Sequence, residues 1–184
     1  DGVSGTLKWI AMEGGKLYCL AGDSGYASLY GGIVAAYDLS MNTTLWAHAE
    51  TGRIHHREIG AAAGRVYLYT EGTRVVCLDG SSGAQVWETA DPALIAMLDT
   101  HGDWASWPNG ELSGFVCSPY GVFICNDKDN YLCGLDPADG HLRWQLDRMG
   151  GRIQSKVLHD SLLFAKSVEG QWKSKKINVL TDSI

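Results

Sequence analysis

Three stretches of this chain align without a gap, and that repetition limits the folds open to it more than any other feature. They run from Ala36-Tyr37-Asp38 to Trp46, from Cys77-Leu78-Asp79 to Trp87, and from Gly134-Leu135-Asp136 to Trp144. Each begins with a small residue, a large apolar residue and Asp. Asn42, Gly83 or Gly140 follows four residues after the Asp, and the Trp comes eight after it. Asp38, Asp79 and Asp136 end strands, where a carboxylate accepts N–H groups of the turn. Asn and Gly tolerate the left-handed backbone that a tight hairpin needs. Trp46, Trp87 and Trp144 then open the returning strand as large apolar anchors with one donor each. The small residue is read as room for a neighbouring sheet to approach.

A second element precedes the first. Gly15-Lys16-Leu17-Tyr18, Gly64-Arg65-Val66-Tyr67 and Gly121-Val122-Phe123 share glycine, an aliphatic residue and an aromatic one, and Ser161-Leu162-Leu163-Phe164 is a degenerate copy. Each follows a short apolar segment, so each unit reads as a four-stranded antiparallel meander. The units fall at about 7–48, 57–90, 113–147 and 152–184. Asp1, Gly5 and Trp9 reproduce the spacing too. That match is taken as chance, because the first strand of the first unit needs the same residues. The last unit stops without its Trp-bearing strand, and a fragment of a longer chain is the simplest expectation.

Two insertions break the period, at residues 21–32 and 90–110. In the second, Pro92 near the start of an apolar run predicts a short helical turn. Interruptions of a repeat fall on loops of one face, often the binding face.

Composition agrees with short strands and tight turns: 23 glycines but 4 prolines in 184 residues. The formal charge of −6 lacks the basic surplus of a nucleic-acid binder. The short basic run at residues 173–176 reads as a solvated hairpin edge. No stretch reaches the roughly 20 apolar residues of a membrane-spanning helix. No signal peptide is visible at Asp1, and the start without Met leaves a leader open. The cysteines, Cys19, Cys77, Cys117, Cys125 and Cys133, form no C-x-x-C pair. The last three are expected on adjacent strands. A bridge there is one reading and buried free thiols the other.

The pattern small-Leu-Asp-x-x-x-Gly-x-x-x-Trp resembles the signature of pyrroloquinoline-quinone-like (PQQ-like) β-propeller repeats. The resemblance covers nearly the whole chain. It implies an all-β fold, a β-propeller of four-stranded antiparallel blades, with about four of seven or eight blades present here. It implies a bacterial setting, periplasmic, cell-envelope or secreted. It does not imply the cofactor, because the family holds both quinoprotein dehydrogenases and the propeller lipoprotein of the outer-membrane assembly machinery. The dehydrogenase branch implies adjacent cysteines, a calcium ligand set and a catalytic Asp. No two cysteines are adjacent here, and no calcium ligand set can be mapped.

The candidate binding residues lie where the repeat is interrupted. Asp99, His101, Asp103, Trp104 and Trp107 bring carboxylates, a histidine and two indoles into one loop. They suit an aromatic-walled polar pocket, or else simply cover the neighbouring blade. His55 and His56 lead into the second blade, whose first strand the resemblance places on the central channel. Adjacent strand residues face opposite ways, so the two cannot easily chelate one metal. They read as a ligand contact or as a polar junction. Residues 126–130 read as a hairpin turn rather than a calcium loop.

The expectation is therefore a non-catalytic scaffold or binding module of the bacterial cell envelope. Its partner is an unknown protein or small molecule, with no nucleic acid, no metal and no cofactor. The alternative is part of a PQQ-dependent quinoprotein oxidoreductase, and only there would PQQ with calcium enter.

Overall fold

The computed structural model describes residues 5–22, 30–55, 58–98, 112–126, 131–146, 153–158, 161–168 and 171–178, and from residue 153 onward it gives the course of the strands alone. The described residues are all-β apart from one short helix. It divides into two compact units, Asp1–Thr89 and Ala90–Ile184.

The first unit holds two antiparallel sheets. Blade one is β1 (Thr6–Glu13), β2 (Lys16–Gly22), β3 (Tyr30–Asp38) and β4 (Thr43–His55). Blade two is β5 (Ile59–Ala62), β6 (Arg65–Thr70), β7 (Arg74–Asp79) and β8 (Gln85–Thr89). In both, sheet order equals chain order. The central strands β6 and β7 are buried on both faces, so they read Val-Tyr-Leu-Tyr and Val-Val-Cys-Leu without alternation.

The second unit opens with α1 (Pro92–Leu98), in the insertion where proline predicted a turn. Asp91 caps it, its Oδ1 accepting from the N–H groups of Ala93 and Leu94 at 2.9 Å each. Leu94 and Leu98, one turn apart, are its buried residues. Blade three follows as β9 (Leu112–Ser118), β10 (Gly121–Asn126), β11 (Tyr131–Leu135) and β12 (Leu142–Leu146). The last sheet is three-stranded, with β13 (Ile153–Leu158), β14 (Ser161–Val168) and β15 (Gln171–Asn178).

The three corners are built alike. Asp79 Oδ1 accepts from the N–H groups of Ser81 and Ser82 at 3.0 and 2.9 Å, and Asp38 does the same for Ser40 and Met41 at 2.8 and 3.0 Å. In the third corner Asp136 Oδ1 accepts from Ala138 N–H at 2.7 Å. Asn42, Gly83 and Gly140 have φ of 51°, 73° and 79°, the left-handed backbone the spacing required. Pairing slips at the same place in each blade, just after Ala36, Cys77 and Gly134. Those three lie directly across from Trp46, Trp87 and Trp144. The small residue therefore makes room for the Trp of its own blade. A Cβ at Gly134 would sit 2.6 Å from the Trp144 ring. Ala36 also lies in the core seam against blade two, so there the small residue serves the neighbouring sheet as well. Each Trp also meets the aromatic residue of the second strand, Tyr18, Tyr67 or Phe123, at 6.3, 5.9 and 6.0 Å between centroids. Trp46 and Trp87 are 8% exposed, and Trp144 is half-buried.

The core of the first unit is the seam between its blades. Tyr18, Leu20, Val34, Ala36, Trp46 and Ile54 pack on Ile59, Val66, Leu68, Val76 and Leu78. Tyr18 Oη and Trp46 Nε1 both donate to the Gly80 carbonyl, at 3.2 and 3.1 Å. Glu13 accepts from the N–H groups of Ala63 and Gly64 at 2.6 and 3.1 Å.

The cysteines are free thiols. Register shows why the last three do not bridge. Cys117 pairs with Val122 and Cys133 with Ile124, so both lie on one face with β10 between them. Two strand spacings of about 4.8 Å exceed the reach of a disulfide. Cys125 points to the other face.

Candidate functional site

Asp99, His101, Asp103, Trp104, Trp107 and His56 lie outside the described residues, as do most of the turn at 126–130 and of the insertion at 21–32. His55 is described. It ends β4 and is 1% exposed, as is Glu58 three residues on. The His55 backbone N–H donates to Glu58 Oε2 at 3.1 Å, and the Glu58 N–H returns a bond to the His55 carbonyl at 2.8 Å. The Glu58 carbonyl accepts from Tyr69 N–H at 2.8 Å, tying the junction to β6. The Tyr30 ring meets His55 edge-on at 5.1 Å, and the exposed Arg53 guanidinium lies 5.7 Å above the Tyr30 ring. The junction thus presents an arginine stacked on an aromatic, with the imidazole enclosed beneath.

A second polar group lies in the seam and was not singled out from sequence. Glu50, on β4, has a side chain with no exposed surface. It accepts from Arg74 Nη2 at 2.8 and 3.1 Å, from Thr70 Oγ1 at 3.3 Å, and pairs with His48 Nε2 at 2.7 Å. Arg74 also reaches the half-exposed Glu88. Burial pushes the Glu50 carboxyl up, but hydrogen bonds from Arg74 and His48 outweigh it and the net direction is down. The Arg74 guanidinium is held up chiefly by its bonds to Glu50. A signal was available. His48 and Glu50 follow Trp46 at two-residue spacing, so alternation puts a charge on the face that packs against blade two.

The Glu50 oxygens are taken up by structural donors. Burial raises the thiols of Cys19, Cys77 and Cys133, which keeps them protonated and weak as nucleophiles. Among the described residues, no three His, Cys, Asp or Glu side chains come together as metal ligands. Among the described residues, no helix is long and apolar enough to cross a membrane.

Meandering sheets with an Asp–Gly–Trp corner define the β-propeller class built from PQQ-like repeats. A family model described as PQQ_2, outer membrane protein assembly factor BamB, matches residues 30–170, and the chain belongs to that family. No curated protein sequence matches it. Among solved structures it is similar to BamB from Moraxella catarrhalis, with 14% identity and a TM-score of 0.58, covering 85% of this chain and 39% of that one. It is similar to the quinohemoprotein alcohol dehydrogenase from Comamonas testosteroni, with 12% identity and a TM-score of 0.58, over 97% of this chain and 34% of that one. The computationally designed Ika4 protein matches at 11% identity and a TM-score of 0.64, over 95% of this chain and 93% of that one. The chain thus spans well under half the length of the natural proteins it matches. At these identities the likeness is one of fold.

Proposed function

We propose that this chain is part of a non-catalytic β-propeller scaffold of the bacterial cell envelope, facing the periplasm and binding a protein partner. The observation that carries the reading is the BamB family match over residues 30–170. The all-β architecture and the chemistry of the described residues support it. Among the described residues, buried thiols, a saturated ion cluster and hydrogen-bonded corners hold sheets together. The binding face we assign to the insertion at residues 90–110, with Asp99, His101, Asp103, Trp104 and Trp107. The blade junction that encloses His55, with His56 beside it in sequence, is a second contact region. Indoles supply apolar area, while carboxylates and imidazole orient a partner.

The test replaces residues 99–107 with a Gly/Ser linker and compares capture of envelope proteins by the two forms. The reading expects one reproducible partner that the replaced form loses, at unchanged thermal stability. Capture that survives while stability falls makes the insertion structural. Titration of PQQ with calcium is the second arm. A stoichiometric quinone absorbance with dye-linked alcohol oxidation would overturn the scaffold reading in favour of an oxidoreductase.

A further inference from the structure

One departure from the repeat lies wholly within the described residues. The fourth strands of blades two and three, β8 and β12, have 5 residues each, whereas β4 has 13. Part of the added length is an excursion. Ala49 pairs with Ile33 and Ile54 with Gly31, so Glu50, Thr51, Gly52 and Arg53 stand against Gly32 alone. Extra residues of this kind re-aim the side chains of a strand. Glu50 turns into the seam and is enclosed, while Thr51 and Arg53 are exposed.

The excursion is held against blade two. A Cβ at Gly52 would lie 2.2 Å from Thr70 Cγ2, so glycine lets the strand approach there. The next carbonyl, that of Arg53, accepts from the N–H of the half-buried Glu71 at 3.2 Å. The Arg53 guanidinium lies over the Tyr30 ring, and that ring meets the buried His55 edge-on. Imidazole, phenol ring and guanidinium thus form a stack with the arginine outermost. Among the described residues the guanidinium meets no carboxylate. Arg74 takes Glu50 and Glu88, and Glu58 accepts from the His55 backbone N–H. A guanidinium already carried on a ring loses little freedom when its N–H fork takes a carboxylate in two parallel bonds.

We propose that Arg53, oriented by Tyr30, is the seat for a carboxylate of the partner protein, supplied by an aspartate or glutamate side chain. The inference rests on the scaffold reading and deepens its junction contact, naming the residue that makes the contact and the chemistry that meets it. His55 supports the stack from beneath and Glu50 anchors the excursion. Neither touches the ligand.

The experiment titrates the full 184-residue chain with acetyl-Gly-Glu-Gly-amide at constant ionic strength, and with the Gln analogue of that peptide as control. NMR of the arginine Nε–H groups and of the Tyr30 ring is read. The Glu peptide should shift Arg53 and Tyr30 saturably, and the Gln peptide should not. Arg53→Lys keeps the charge but loses the fork, and should weaken binding by about threefold or more, while Arg53→Gln should abolish it. Tyr30→Leu should weaken binding by about threefold or more, and Tyr30→Phe by less than that. Equal shifts at Arg65 and Arg143, which bond Cys77 and the Tyr120 carbonyl, would show a general salt effect and overturn the proposal. A response to the Gln peptide, or Arg53→Lys binding as tightly as the native chain, would overturn it too. The probe depends neither on the insertion at residues 90–110 nor on any captured protein. Its failure therefore removes the seat and leaves the scaffold reading standing, whereas stoichiometric PQQ uptake strikes that reading itself.

Discussion

The two ends of β7 hold the same pair of sheets by opposite means. At its Asp79 end, Trp46 and Tyr18 of blade one lie on Gly80 and Gly83, an apolar contact finished by two hydrogen bonds to one carbonyl. At its Arg74 end, a fully enclosed Glu50 carboxylate bridges β4 to β6 and β7 through ions and a hydroxyl. The first contact gains by removing a large ring from water. The second must recover the cost of burying charge, so its net contribution is smaller although its bonds are individually strong. The Asp–Gly–Trp corner recurs in the sequence of three blades, and among the described residues the Glu50 cluster is shown at this seam.

The largest effect should come from breaking the corner. Trp46→Ala removes a buried indole and leaves its seat empty, at a cost of about 3–5 kcal/mol. Urea unfolding of the first-unit signal measures it. A loss below that of Glu50→Gln would reverse the ranking of the two ends.

Glu50→Gln comes next. It keeps the shape but removes the charge opposite Arg74, which stays partly solvated beside Glu88. About 1–2 kcal/mol is expected, less than for a fully dry pair. The same group sets a pH dependence. Its folded-state pKa lies below the unfolded value. Its contribution is therefore present above the ordinary carboxylate range and lost as pH falls through the folded pKa. The acid limb of a stability profile should be steep in the native chain and flatter in Glu50→Gln. An identical limb in both would remove Glu50 from the account.

Two smaller substitutions sharpen the contrast. Thr70→Val keeps the packing and deletes one donor to Glu50, which should cost about 0.5–1.5 kcal/mol by the same unfolding measurement. Glu88→Gln, at the solvated edge of the cluster, should cost about 0–1 kcal/mol and respond to salt. A Glu88 effect larger than that of Glu50 would place the weight of the cluster at the surface.

This contrast also explains what could be read from sequence. Asp38, Asp79 and Asp136, with the Asn or Gly and the Trp at fixed distances, announced three hairpins because repetition separates a signal from chance. Pro92 announced α1 through local chemistry. The role of Gly80 was not legible, because its demand comes from Tyr18, 62 positions away. Ala36, Cys77 and Gly134 were recognised as small, but their place across from the Trp was not legible, since it depends on the slip in pairing. Glu50, Arg74 and Thr70 come from three strands and recur in no other blade, so only the fold brings them together. The candidate binding residues drew on a different signal, the interruption of the period, which marks a place without supplying its geometry.

The central claim is that Trp46 of blade one docks on the glycine corner of blade two. Proton NMR tests it most directly, through nuclear Overhauser contacts between the Trp46 indole and the Gly83 α-protons. The account predicts strong contacts that vanish in Trp46→Leu, with the Trp46 Nε1–H protected by its 3.1 Å bond to the Gly80 carbonyl. A solvent-exchanging indole N–H with no contact to Gly83 would contradict the account.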